Sequence, residues 1–300
     1  MPAVLEAPHF HNEEAAFAYV EAIMWPKGPV CPHCGATSEK IGRLQGKTTR
    51  PGLRKCYACR KPFTVRIGTI FEDSHAPLRY WLQAIHLICA SKKGISTRQL
   101  QRMLQCSMKT AWFMGHRIRH AMAPADGTPP LGGKGVTVEA DETFITKSPK
   151  TRKVKGQTGR EIQVMSLVER GGRQRSVFLD HRTVRDHLHK HIDPASRLVT
   201  DQAPHYKFQT DQHEAVDHSK GEYVRGDVHT NRLEGFFSIL KRGLHGIYHA
   251  VSYQHLPRYL AEFEFRYNAR KQNDGERTTR IIQAANHKRL TYEDLIYDAR

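Results

Sequence analysis

The chain has 300 residues, 39% hydrophobic and 9% aromatic, which is enough apolar material for real cores and excludes global disorder. Lysine and arginine total 47 against 30 acidic residues, and the resulting charge of +17 points to a polyanionic partner, nucleic acid first. No apolar run reaches the roughly 18 residues of a membrane span, and MPAVLEAPHFHNEEAAF lacks the basic-then-apolar order of a secretory signal. A cytoplasmic protein is therefore expected, nucleoid-associated when DNA-bound, with its six cysteines as thiols or metal ligands.

Residues 1–70 carry Cys31-Pro-His-Cys34 and Cys56-Tyr-Ala-Cys59, two C-x2-C pairs separated by 21 residues. Each pair can grip one zinc ion from a tight turn, and four thiolates close a tetrahedral structural site with no open position for water. A redox role is the rival for a single pair; two pairs at this spacing read as a zinc ribbon. His33 reads as a bystander, Gly35 as a turn residue and Thr64–Ile67 as a short strand.

Residues 71–123 read as helical. Pro77 opens a helix with Leu78, Trp81, Leu82, Ile85 and Ile88 at helical spacing and Cys89 on the same face. A second helix begins near Gly94–Leu100, a turn falls at Gln105-Cys106-Ser107, and a third helix starts at Met108. The pair resembles a helix-turn-helix in which Lys109, Thr110, Arg117 and Arg119 meet DNA. An ordinary helical hairpin with a basic face is the alternative. Cys106 reads as a small packed residue.

Residues 124–134, PADGTPPLGGK, form a Pro/Gly linker, and 135–300 read as mixed α/β. Val136–Asp141 alternates, with Val136, Val138 and Ala140 on one face and Thr137, Glu139 and Asp141 on the other, so Asp141 is expected to end a strand. Strands follow over 161–168 and 175–179, a helix over 184–191, and a fourth strand over 197–200 ended by Asp201. This β-β-β-α-β order is that of an RNase H-like core, in which Asp141 and Asp201 lie on adjacent strands and hold magnesium through oxygen ligands. Asn231–Arg242 places Leu233, Phe236, Phe237 and Leu240 on one helical side and Asn231, Glu234, Ser238 and Lys241 on the other. Glu234 follows Asp201 by 33 positions. Asn231 with Glu234 could equally be a capping box, and the stripe a solvated face.

The sequence resembles the zinc-ribbon DDE transposases of bacterial insertion sequences, the ISXO-type group. The resemblance rests on CPHCG at 31–35, the Cys56–Cys59 knuckle, VEADETF at 138–144, TDQAPHY at 200–206, HTNRLEGFFSILKRGLHGIYHAVS at 229–252 and HLPRYLAEFEFRYNAR at 255–270. It implies an RNase H-like DDE catalytic domain behind the zinc ribbon and helix-turn-helix, with Asp141, Asp201 and Glu234 as the catalytic carboxylates. Asn231 is the rival third position, and Lys241 matches the basic residue that follows. Implied cofactors are structural Zn²⁺ and two catalytic Mg²⁺, with Mn²⁺ as a substitute. Implied partners are double-stranded DNA, namely terminal inverted repeats and target, and further copies of the chain in a homo-oligomeric synaptic complex. Lys150, Arg152 and Lys153, in the basic run 147–155, are expected to grip the DNA backbone or to form a solvated segment. His249, Tyr259, Arg266 and Asn268 stand open between DNA contact and packing. A non-catalytic zinc-ribbon regulator and an RNase H-like nuclease without strand transfer are the alternatives.

Overall fold

The computed structural model describes residues 4–125, 127–145, 162–179, 183–201, 206, 212–216, 224–249 and 251–297. Two compact units emerge, one of residues 1–122 with 272–300 and one of residues 123–271. Residues 272–300, expected to belong with the catalytic half, thus return to the first unit. No helix among the described residues is long and apolar enough to cross a membrane.

The first unit contains helix α1 (Glu13–Met24), strands β1 (Ile41–Arg43), β2 (Arg54–Cys56) and β3 (Pro62–Phe63), and helices α2 (Leu78–Ala90), α3 (Thr97–Leu104) and α4 (Met108–Met122). The three strands form a small antiparallel sheet in the order β1-β2-β3. Thr64–Ile67 is a turn rather than the expected strand. Its Arg66 guanidinium donates to the carbonyls of Phe71, Ser74 and Ala76, which curls the chain back on itself. Pro77 caps α2 without a side-chain bond. The Glu13 carboxylate fills that role by accepting the Leu78 and Arg79 N–H groups at 2.7 and 3.1 Å, an anion at a helix N-terminus. Between α3 and α4, Gln105 adopts φ 49° and turns the chain sharply.

The second unit is built on a five-stranded sheet of β4 (Thr137–Ile145), β5 (Ile162–Glu169), β6 (Gln174–Phe178), β7 (Arg197–Asp201) and β8 (His213–Val216), with helix α5 (Val184–His191) between β6 and β7. The spatial order is β6-β5-β4-β7-β8. Strands β6, β5 and β4 run antiparallel, whereas β4, β7 and β8 run parallel. Helices α6 (Asn231–Gly243) and α7 (Leu256–Asn268) complete the unit, and α8 (Asp274–Ala284) and α9 (Tyr292–Tyr297) belong to the first.

Strand alternation divides the sheet into two faces. On one, Val138, Ala140, Met165, Leu167 and Leu198 pack with Leu188 of α5, Ile192 and Tyr206. On the other, Ile145, Val164 and Val168 pack with Leu233, Phe236, Phe237 and Leu240 of α6 and with Tyr259 and Phe263 of α7. The apolar side expected for α6 is buried, and Asn231, Glu234, Ser238 and Lys241 are exposed. The free edge of β6 is covered from α7. Asn268 accepts the Gln174 N–H at 2.7 Å and donates to its carbonyl at 2.9 Å, and Glu264 accepts the Ser176 N–H at 3.2 Å. Side-chain bonds of this kind keep an edge strand from pairing with another chain.

Candidate functional site

The four cysteines meet. Their Sγ atoms all lie within 4.8 Å of one another, with Cys31 to Cys59 and Cys34 to Cys56 both at 3.7 Å. Four sulfurs at about 2.3 Å from a tetrahedral zinc lie about 3.8 Å apart, so the donor set fits zinc and the spacing is far too long for disulfides. The first knuckle closes as Gly35 N–H donates to the Cys31 carbonyl, with Gly35 at φ 75°. In the second, Arg60 takes the same left-handed turn at φ 62°. Backbone N–H groups of Cys59 and Ala58 draw the Cys56 thiol down to about 7, whereas, against the Ala36 N–H, burial and the neighbouring thiols push Cys34 up to about 12.

The acidic site grows from strand register. Parallel β4 and β7 pair Thr137 with Arg197 and Glu139 with Val199. Asp141 and Asp201 each follow the last of these pairs, Glu139 with Val199, by two residues on their own strands. Asp141 is not at the strand end as expected; β4 continues to Ile145. Its side chain nevertheless belongs to the face that α6 covers, since Ile145 of the same alternation packs on α6. Glu142 points to the opposite face, where it accepts the Tyr206 hydroxyl at 2.7 Å.

Burial, reinforced by the charges of Asp201, Glu142 and Glu234, pushes the Asp141 carboxyl up to about 7. The Glu142 N–H, donated to Asp141 Oδ1 at 2.8 Å, offsets only part of this. Asp201 and Glu234 thus lie near enough for their charges to act on Asp141, and all three offer hard oxygen donors. Their arrangement is more open than that of the thiols. Among the described residues, the cysteines are the group of metal-binding side chains that closes within 4.8 Å.

Asn231 occupies the first position of α6, and the helix is capped at Thr230 without a side-chain bond, so no capping box engages Asn231 and Glu234. Lys241 is exposed in the last turn of the same helix. Tyr259 is core, Asn268 holds β6, and Arg266 donates to the buried Glu262 at 2.6 Å, so these three pack, whereas His249 is exposed.

The proposed DNA-reading set on α4 separates. Lys109 is exposed on the first turn, with its ammonium 4.5 Å from the Tyr292 ring centroid, and Thr110 is half-buried. Arg117 and Arg119 are buried at 2% and 3% exposure and are not presented to a duplex. Arg117 instead ties the unit together by donating to the carbonyls of Leu290, Ile70 and Glu72. Helical spacing marked the basic residues but could not show that α9 and the loop before α2 cover that side. Lys150, Arg152 and Lys153 lie outside the described residues. Sequence reasoning also missed a buried carboxylate, Glu139, which receives Arg170 Nε at 2.9 Å. The available signal was an acid two residues before Asp141 on the same strand face.

Residues 11–62 match a transposase zinc-ribbon domain and residues 130–268 an ISXO2-like transposase domain, both of the IS1595 type. The chain is 28% identical over 300 residues to an uncharacterized protein in transposable element ISH50 of Halobacterium salinarum, covering 92% of this chain and 98% of that protein. The matched segments contain the four cysteines and Asp141, Asp201 and Glu234, and the chain carries the zinc-ribbon and ISXO2-like transposase domains of IS1595-type transposases.

Proposed function

We propose that this chain binds the terminal inverted repeats of its insertion sequence and carries out Mg²⁺-dependent strand cleavage and strand transfer at Asp141, Asp201 and Glu234. The observation that carries the reading is geometric: Asp141 lies on the sheet face that α6, the helix of Glu234, covers, and Asp201 ends β7, the parallel neighbour of β4. The order β6-β5-β4-β7-β8, with its first three strands antiparallel and the rest parallel, supports an RNase H-like core. The turn between α3 and α4, with Lys109 exposed at the start of α4, supports a helix-turn-helix.

In this reading Asp141, Asp201 and Glu234 hold the catalytic cations. Bound there, two Mg²⁺ ions supply Lewis-acid stabilisation of the attacking and departing oxygens. In the first step a water oxygen bonds to the scissile phosphorus as the bond to the 3′ oxygen breaks, leaving a 3′-hydroxyl. In the second, that hydroxyl attacks a target phosphodiester and one phosphorus–oxygen bond replaces another. The chain's own groups position the reacting strand in line, with Lys241 holding a neighbouring phosphate. The zinc ribbon and Lys109 hold the element end. Joining two ends calls for at least two copies of the chain, acting on the nucleoid in the cytoplasm.

A labelled duplex carrying the inverted repeat, incubated with Mg²⁺, tests the proposal. Nicking and joining are expected from the wild type, and end binding without nicking from Asp141→Ala, Asp201→Ala and Glu234→Ala. Binding with no Mg²⁺-dependent nicking by the wild type would indicate a regulator, and nicking without joining a nuclease. Retained cleavage in Glu234→Ala, with loss in Asn231→Ala, would move the third position to Asn231.

A further inference from the structure

Glu139 has 0% exposure and lies on the same face of β4 as Asp141, two residues before it. A carboxylate buried this deeply is costly unless it is paired. Its partner, Arg170, donates Nε to Glu139 Oε1 at 2.9 Å and a second nitrogen to the His229 carbonyl at 3.3 Å. One guanidinium therefore bridges the floor of the acidic site and the residue two before α6. His229 Nδ1 is 3.8 Å and Arg232 Nε 4.0 Å from the same Glu139 oxygen. Glu139 Oε2 and His229 Nδ1 are both buried without a hydrogen-bond partner, so the cluster has capacity to tighten further.

The loop before α6 is held from its other side as well. Asp227 lies 3.5 Å from Arg170 and pairs with Arg197, which also donates Nε to Glu214 at 2.9 Å. An ion-pair chain thus runs from Glu139 on β4, through the loop that delivers α6, to β7 and β8. The Glu234 N–H donates to the Thr230 carbonyl, so where His229 and Thr230 are fixed decides where Glu234 sits.

We infer that Glu139 is a positioning residue: through Arg170, His229 and Arg232 it anchors the first turn of α6 and so sets Glu234 against Asp141 and Asp201. The inference rests on the acidic-site reading above, and it assigns Glu139 no contact with DNA or metal. Partners that orient a metal ligand change metal affinity by about 10- to 100-fold when removed.

Two readouts test it: Mn²⁺ binding to the full zinc-loaded chain by electron paramagnetic resonance, and amide hydrogen exchange over residues 229–236 without Mn²⁺. Glu139→Gln is expected to weaken Mn²⁺ binding about tenfold or more and to speed exchange in the first turn of α6, with β4 and β5 still protected. Arg170→Lys keeps the charge but loses the fork that reaches His229. It is expected to act in the same direction and serves where Glu139→Gln does not fold. A folded variant with wild-type Mn²⁺ affinity and wild-type exchange overturns the inference, as does a lowered melting temperature with Mn²⁺ affinity intact. If the wild type binds no Mn²⁺ at the acidic site, that reading fails instead, and the exchange result alone decides whether Glu139 anchors the helix.

Discussion

Replacing Asp141 by asparagine is expected to stabilise the magnesium-free protein at pH 8 while removing its stabilisation by Mg²⁺. Burial first, then Asp201, Glu142 and Glu234, hold the Asp141 carboxyl at about 7, against about 3.8 ordinarily. The native state therefore keeps this proton longer than the unfolded chain does. Its contribution to stability falls as pH rises from about 4 to about 7 and then levels off. Three pH units at 1.36 kcal/mol each set a ceiling of about 4 kcal/mol. Partial exposure of Asp141 reduces this to roughly 1–3 kcal/mol, or about 2–12 °C in melting temperature for a unit of this size. Asparagine removes the charge and keeps an oxygen for the Glu142 N–H. The assay is thermal unfolding of both proteins at pH 6 and pH 8, with and without Mg²⁺ and without chelator, so that zinc stays in place. The stabilisation should be smaller at pH 6, and Mg²⁺ should raise the wild type alone. An asparagine variant no more stable than the wild type at pH 8, with an unchanged Mg²⁺ response, would refute the reasoning.

Cys31→Ser or Cys56→Ser should lose zinc and end binding together, read by metal content and gel shift, because the ribbon's core is little more than the knuckles, Phe63 and Trp25. Arg117→Leu should lower stability by about 3 kcal/mol by leaving three buried carbonyls short of a donor, measured by denaturant unfolding. Lys109→Ala should leave stability unchanged and reduce the salt slope of DNA binding by about 1. Burial pushes Glu264 up to about 7, only partly offset by the Ser176 N–H and Arg175, so its contribution to stability also falls with rising pH. Glu264→Gln should gain up to about 3 kcal/mol above pH 7 and progressively less toward pH 5, followed by thermal unfolding.

Much of this was legible in the sequence because it is periodic or covalently spaced. The cysteine pairs fixed the ribbon, the spacing of Leu233, Phe236, Phe237 and Leu240 fixed the buried side of α6, and alternation put Asp141 and Glu139 on one strand face. What the sequence hid depends on distant packing. Arg117 carries the signature of a basic DNA-facing helix, yet it is consumed by carbonyls from Ile70, Glu72 and Leu290. The return of residues 272–300 to the first unit leaves no local mark, because α8 is an ordinary capped amphipathic helix that happens to pack on α1, α2 and α4. Strand β8 is only four residues, His213–Val216, and too short to give a periodic signal. The Glu139–Arg170 pair joins residues 31 positions apart and becomes visible only once β4 and β5 are in register.

The most direct test of the account is Mn²⁺ binding to the zinc-loaded chain, with the three carboxylates neutralised one at a time. Asp141→Asn, Asp201→Asn and Glu234→Gln should each weaken Mn²⁺ binding about tenfold or more while the zinc content holds. Wild-type Mn²⁺ affinity in Asp201→Asn and Glu234→Gln would contradict it, since the three side chains would then not share a cation.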